Sequence, residues 1–170
     1  MSHPFTVTPR FLRPAAMTLA VSALAFAIVD DADAAERGKF KGRSVLVSMQ
    51  FHEIKAPEGN PAKAVQIGEL DGVLFNDTGK TFLDKAHYQV VWKGDGNGAA
   101  ECFKTFTDSM GKVFANCVGQ SADNGEEQGT ITLVGGTGAY TGIKGKGSFK
   151  LKMISDRTMW DIVEFDYEIP

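Results

Sequence analysis

The sequence predicts an all-β protein, an eight-stranded antiparallel barrel that follows an N-terminal signal peptide. Short segments alternate between apolar and polar residues, which is typical of half-buried strands. Residues 62–169 contain no proline, and all 19 glycines follow residue 35. Several of these glycines lie in stretches such as "NDTGK" and "KGDGNG", which favour hairpin turns. No segment shows a helical period over ten residues.

The N-terminal residues 1–35 have the layout of a secretory signal peptide. Arg10 and Arg13 are basic, residues 15–29 are apolar and uncharged, and "ADA" at residues 32–34 supplies small residues for cleavage near Ala34 or Ala35. The apolar run is shorter than the roughly 20 residues that span a bilayer. We therefore expect a periplasmic or secreted barrel domain of residues 36–170, with no stable membrane anchor.

The charge of the expected mature chain excludes one class of partner. Loss of the leader removes two arginines and three aspartates, which leaves a formal charge of about −2. No basic run remains, and neutralising phosphates requires clustered lysine and arginine. We therefore expect no nucleic-acid partner.

The alternation predicts eight strands, which cover residues 43–54, 65–75, 81–93, 99–107, 112–119, 129–134, 144–153 and 158–168. Strands joined by hairpins leave exposed edges, and closure into a barrel removes them. Eight strands also enclose an interior that holds packed side chains or one small ligand. A two-sheet sandwich is the alternative architecture.

The same alternation assigns residues to faces in the first and last strands. In the first strand four apolar residues share one face: Val45, Val47, Met49 and Phe51. In the last strand apolar residues share one face and acidic residues the other: Met159, Val163, Phe165 and Tyr167 against Glu164, Asp166 and Glu168.

The two cysteines flank the turn "TDSMGK". An even loop would place Cys102 directly opposite Cys117, within bridging range, and an exported compartment favours oxidation. An odd loop with Gly111 as a bulge would send the two thiols to opposite faces. The sequence therefore predicts a Cys102–Cys117 disulfide in the first register and free thiols in the second.

The stretch "GGTGAYTGIKGKGSF", residues 135–149, holds six glycines and two lysines. It fails the dinucleotide fingerprint because Thr141 stands at the third glycine position, and it fails the P-loop pattern because Ile143 stands where lysine is needed. A strand pattern follows it, so no helix N-terminus is available for an anion. The glycines instead favour a barrel corner, with Tyr140 as an aromatic cap.

These residues carry a family resemblance. "GGTGAYTGIKGKGSFKL" is similar to the Gly-Gly-x-Gly-x-aromatic-x-Gly pattern of the allene oxide cyclase and dirigent barrel superfamily, and "GELDGVLFNDTGKTFLD" and "FHEIKAPEGNP" resemble other cyclase segments. The resemblance implies a calycin-like barrel with an apolar cavity, often assembled as a dimer or trimer. Cyclases of this family close an unsaturated fatty-acid epoxide without a cofactor, and dirigent relatives guide the coupling of phenolic radicals.

The resemblance carries over to one candidate catalytic residue. Glu53 matches the glutamate of a cyclase Glu-Ile-Asn segment, but Lys55 stands in place of the asparagine. The cysteine of the third cyclase strand is also absent from "KAHYQVVW". We therefore expect a non-catalytic ligand-binding or scaffold barrel, with a cofactor-free isomerase or cyclase that uses Glu53 as one alternative and a structural homo-oligomer as the other.

Aromatic residues are the candidates for lining a small-ligand pocket, because they supply most of the contact area in such pockets. The candidates are Phe51, Tyr88, Trp92 and Tyr140, and core packing is the alternative role for each. The two histidines after the leader, His52 and His87, have no third ligand at a recognisable spacing, so we expect no metal site.

Overall fold

The computed structural model describes residues 35–61, 63–122 and 124–170, and residues 1–34 of the predicted signal peptide lie outside this range. The described chain forms a closed antiparallel barrel in which each strand pairs with its sequence neighbours and the last strand pairs with the first. The eight strands are β1 Glu36–Lys55, β2 Ala64–Asn76, β3 Ala86–Gly94, β4 Ala99–Asp108, β5 Gly111–Ser121, β6 Glu126–Gly138, β7 Lys144–Ser155 and β8 Thr158–Ile169. The predicted fold class is confirmed. Within the described residues, no helix is long and apolar enough to cross a membrane.

Strand β1 begins seven residues earlier than the sequence predicts. Its first part pairs with β8, so that Phe40 lies opposite Phe165 inside the barrel. Its outward lysines pair with acids of β8, with Lys41 Nζ 2.6 Å from a Glu164 oxygen. The alternation did not predict a strand at residues 36–42, because this stretch is rich in charged residues. Their ion-pair partners on β8 lie more than 120 residues away in the sequence.

A bulge in β1 corrects the predicted face assignment. Ser48 pairs with Leu70 and Gln50 with Glu69, so Met49 is the extra residue on this strand. A one-residue insertion reverses the alternation. Val45 therefore points outward and is 42% exposed. Beyond the bulge Phe51 pairs with Gly68 and shares the inward face of β2.

The third strand is shorter than predicted because residues 77–85 form a loop. Leu83 and Lys85 have φ angles of +53° and +58°, a conformation that interrupts a strand. The Asn76 side-chain amide donates a hydrogen bond to the Phe82 carbonyl oxygen at 2.7 Å. Leu83 is fully buried, so the loop covers one end of the barrel.

The β4–β5 hairpin has the even register. Cys102 lies opposite Cys117 with their Cα atoms 4.9 Å apart, and the two form a disulfide. Asp108 Oδ1 accepts hydrogen bonds from the backbone N–H groups of Met110 and Gly111 and so fixes the two-residue turn. Both cysteines are buried on the inner face of the barrel.

The glycine-rich stretch forms the corner between β6 and β7 at the end that the 77–85 loop covers. Gly138 has a φ of +61°, which favours glycine. Tyr140 is 2% exposed, packs edge-on against Phe82 and donates a hydrogen bond from its hydroxyl to Asp108 Oδ2 at 2.5 Å. A Cβ on Gly147 would overlap the Glu164 backbone oxygen of β8. Through Tyr140 the stretch therefore covers this end of the barrel.

Candidate functional site

The opposite end of the barrel contains a cavity of about 240 Å³. The turns between β3 and β4 and between β5 and β6 lie at its entrance, and residues of seven strands, β2 to β8, form its wall. The larger apolar residues of the wall are Leu70, Val90, Trp92, Phe149, Leu151 and Met159. An apolar wall with few polar groups is the usual composition of a small-molecule site.

Trp92 forms one side of the cavity. It points inward from β3 opposite Gly68, and a Cβ on Gly68 would overlap the indole ring. Phe51 stacks on the outer edge of this wall, with its ring centroid 5.9 Å from that of Trp92. The absence of a side chain at Gly68 therefore gives the indole its position beneath the β1–β2 hairpin.

A buried ion pair lies at the inner end of the cavity. Lys104 points inward from β4 and its Nζ lies 2.9 Å from Asp161 Oδ2 of β8, with both side chains at most 1% exposed. The Tyr88 hydroxyl donates a second hydrogen bond to Asp161 Oδ2 at 2.6 Å. Lys104 lines the cavity, whereas Asp161 and Tyr88 do not. The lysine is thus the member of the pair that a cavity ligand would meet.

Aromatic faces complete the surroundings of the lysine. Lys104 Nζ lies 4.2 Å from the centroid of the Phe149 ring and 5.4 Å from that of Tyr88. Such contacts stabilise a desolvated cation. Burial, with the charge and hydrogen bond of Asp161, raises the pKa of Tyr88 well above its ordinary value. Tyr88 is therefore a phenol that donates to Asp161 and not a base.

Two buried oxygens next to this pair have no hydrogen-bond partner among the described residues. They are Ser44 Oγ and Asp161 Oδ1, and the two residues are directly opposite each other on β1 and β8. Buried polar atoms are normally hydrogen-bonded. The interior of the barrel is therefore polar at this layer, although apolar side chains surround it.

Glu127 is the second ionisable residue of the cavity lining. It is half-buried on β6 near the entrance. Desolvation raises the pKa of its carboxyl, the charge of Lys104 opposes that rise, and the charge of Asp161 adds to it. A raised pKa extends to higher pH the range in which this carboxyl is neutral.

The residues predicted from the sequence occupy different places. Trp92 lines the cavity and Phe51 stacks on Trp92 without lining the cavity, whereas Tyr88 lies below the cavity and Tyr140 lies at the closed end. Contact of any of them with a ligand stays a prediction. Glu53 is exposed beyond the cavity, where its Oε2 accepts a hydrogen bond from Gln66 Nε2 at 2.7 Å.

The sequence reasoning did not single out Lys104, Asp161 and Glu127 as site residues. The alternation of apolar and polar residues along the strands indicates inward positions for two of them. Asp161 lies two residues after Met159 and two before Val163, on the apolar face of the last strand, and Lys104 lies two residues after Cys102. A charged residue at an inward position of a barrel strand is the pattern that identifies a buried pair.

No group of three or more histidine, cysteine, aspartate or glutamate side chains within residues 35–61, 63–122 and 124–170 is arranged to hold a metal ion. His87 is exposed and its Nε2 lies 2.6 Å from Asp71 Oδ1, whereas His52 is exposed at the end of β1. The histidines are therefore surface residues in this part of the chain.

Comparison with known proteins finds likenesses to solved structures at low sequence identity. No protein-family model and no curated protein matches the chain. Among solved structures, the barrel is similar to a pyocyanin demethylase, with 14% identity, a TM-score of 0.46 and coverage of 74% of this chain and 98% of that one. It is also similar to the pterocarpan synthase dirigent protein GePTS1, with 12% identity, a TM-score of 0.47 and coverage of 78% and 85%. For the pterocarpan synthase dirigent protein PsPTS1 the identity is 16%, the TM-score 0.41 and the coverage 81% and 96%.

Proposed function

We propose that this protein binds one small, mainly apolar molecule in the open end of its barrel, and that it acts as a carrier or scaffold without chemistry of its own. The cavity of about 240 Å³ is the observation that supports this function. For comparison, an apolar protein cavity of about 150 Å³ holds benzene. A ligand somewhat larger than a single aromatic ring would therefore fit.

The layout of the barrel supports binding at one end only. Tyr140 and Leu83 fill the closed end, whereas residues near the other end are small: Gly94, Gly98 and Ala100. Small residues at the entrance leave room for a ligand to pass between the turns. The apolar wall would contribute about 25 cal/mol for each Å² of apolar surface removed from water.

A cavity-filling substitution tests this function. Isothermal titration calorimetry with butylbenzene should show binding of one molecule per chain, and Ala100→Phe should abolish it because the new ring occupies the cavity. Val118→Phe is the matched control, since Val118 is 60% exposed on the outer face of β5. Equal binding to wild type and Ala100→Phe, or no binding to wild type, would refute the proposal. Native mass spectrometry of protein from its natural host would identify a retained ligand.

Export to the periplasm or the cell exterior belongs to the same proposal. The Cys102–Cys117 disulfide supports it, because disulfides persist in oxidising compartments. The alternative of a cofactor-free cyclase has no comparable support. Glu53 is solvent-exposed, and a general acid or base gains its altered pKa from burial or a charged neighbour.

The outer surface favours a structural homo-oligomer as a second candidate function. Val91 and Phe103 are directly paired on β3 and β4 and are 47% and 60% exposed. Their neighbours on the same surface, Lys93 and Glu101, are also paired and carry opposite charges. An isologous contact places the same patch on both copies. A patch that is apolar and carries both signs of charge complements itself, so the partner we propose is a second copy of this chain.

A further inference from the structure

We propose that the ligand of this cavity is a neutral molecule whose buried end carries a hydrogen-bond acceptor, such as a ketone, aldehyde or ester carbonyl, and that Lys104 Nζ donates to it. This inference rests on the proposed function and names the chemical class of the ligand. It depends on the placement of Lys104 at the inner end of the cavity.

Lys104 Nζ has more N–H donors than it has acceptors among the described residues. An ammonium group carries three N–H donors. Within the part of the chain that the structure describes, Lys104 Nζ donates to one acceptor, Asp161 Oδ2. The Phe149 ring covers one side of the ammonium at 4.2 Å and accepts no full hydrogen bond. At least one N–H therefore has no acceptor among the described residues, and Lys104 belongs to the cavity lining.

The apolar surroundings should strengthen a hydrogen bond between this donor and a ligand. Phe149 lies against the ammonium and Val90 is paired with Lys104 in the sheet, and the apolar Leu70 and the disulfide-bonded Cys102 also line the cavity. A hydrogen bond in an apolar interior is stronger than the same bond in water, and an unmade one is costly. A ligand that brings an acceptor to Lys104 satisfies the donor, whereas a hydrocarbon leaves it unsatisfied.

The charge of the site excludes an anionic head group. Asp161 neutralises Lys104, and Glu127 is the other ionisable residue among the described residues of the lining. The sum of the three charges is zero when Glu127 is protonated and −1 when it is ionised. In neither state is there an excess positive charge to compensate a carboxylate, and burial of an uncompensated charge is strongly unfavourable.

The acceptor must therefore be uncharged. A carbonyl oxygen meets this requirement and can accept from Lys104 without displacing Asp161. The remainder of the ligand would lie along Trp92 and Met159 toward the entrance, where the Glu127 carboxyl offers a second polar contact. The geometry thus distinguishes two ends of the ligand, a carbonyl end at the ion pair and a second polar group near the entrance.

Three probes of matched size test the inference: butylbenzene, butyrophenone and 4-phenylbutanoate, each titrated by calorimetry. We expect the ketone to bind roughly tenfold more tightly than the hydrocarbon, the effect of one hydrogen bond to a charged donor. We expect the carboxylate to bind most weakly. Equal affinities of ketone and hydrocarbon would overturn the acceptor inference and leave the proposed function intact. Tightest binding of the carboxylate would overturn the argument from charge, and no binding of any probe would overturn both proposals.

A charge-balanced variant assigns the effect to Lys104. Lys104→Met alone leaves Asp161 buried without a counter-ion and can fail to fold, so the variant to use is Lys104→Met with Asp161→Asn. In this double variant the ketone and the hydrocarbon should bind equally. Lys152→Met is the control, because Lys152 is exposed and pairs with Glu126 on the outer surface. A ketone preference that persists in the double variant would show that Lys104 is not the donor.

Discussion

Lys104 and Asp161 form an ion pair inside the barrel, with Nζ 2.9 Å from Oδ2 and both side chains essentially inaccessible to solvent. They belong to β4 and β8, which are not neighbours in the sheet, so the pair crosses the barrel interior. It therefore links two strands that share no backbone hydrogen bonds.

Removal of one member of this pair should destabilise the protein far more than removal of both. We expect Lys104→Met to lower the free energy of unfolding by about 3–5 kcal/mol, because Asp161 would remain buried and uncompensated. Lys104→Met with Asp161→Asn should recover most of that loss. Urea unfolding of the two single variants and the double variant gives the coupling energy. Additive single effects would show that the pair is not coupled.

The disulfide should stabilise the folded protein by restricting the conformations of the unfolded chain. Cys102 and Cys117 are 15 residues apart, and closing a loop of that length stabilises by about 3 kcal/mol in the chain-entropy model. We expect Cys102→Ala with Cys117→Ala to lower the unfolding free energy by about this amount, measured in guanidinium chloride. A reducing agent should reproduce the loss in the wild type and have no effect on the double variant. An unchanged midpoint after complete reduction would contradict this expectation.

Structural features that depend on residues close together in the sequence were easier to predict than features that depend on packing. The register of Cys102 and Cys117 follows from a two-residue turn, and it is one of the two registers that the sequence allowed. The bulge at Met49 has no marker such as glycine, so the outward position of Val45 could not be predicted. The third strand was predicted over residues 81–93, but residues 81–85 belong to a loop. That loop depends on the hydrogen bond from Asn76 to Phe82 and on the burial of Leu83 in the core, which the strand pattern does not reveal.

The cavity had a partial signal in the sequence. Trp92 is a predicted lining residue because it is aromatic and shares one face of the third strand with Tyr88 and Val90, and it lies in the cavity wall. The pairing of Lys104 with Asp161 could not be inferred in the same way. The two residues are 57 positions apart in the sequence, and their strands lie half of the barrel circumference apart. Only closure of the barrel brings the two side chains together.

The exposed patch of Val91 and Phe103 should make the protein associate. We expect sedimentation velocity at micromolar concentration to show a dimer, and Phe103→Lys to shift it to a monomer, because a charged residue would be buried in the contact. Ser148→Lys is the matched control, since Ser148 is exposed on β7 away from the patch. A wild type that sediments as a monomer would rule out the second candidate function.

The carboxyl of Glu127 should make the stability of the barrel depend on pH. Desolvation raises its pKa above the ordinary value of 4.5 in the folded state. Below both pKa values the group is neutral in the folded and the unfolded chain and has no effect. As the pH rises above about 4.5, the unfolded chain ionises first, so the folded state binds more protons and loses stability. Glu127→Gln should remove this loss.

Glu126 on the same strand provides a control of opposite sign. Its hydrogen bond from Lys152, with the attraction of that charge, lowers its pKa from 4.5. It therefore contributes stability above that value and loses it as the pH falls through its folded pKa. Urea unfolding from about pH 4 to about pH 8 should show Glu127→Gln more stable than wild type at the neutral end and Glu126→Gln slightly less stable. If Glu127→Gln and wild type keep parallel profiles across this range, the carboxyl is not desolvated at the cavity entrance.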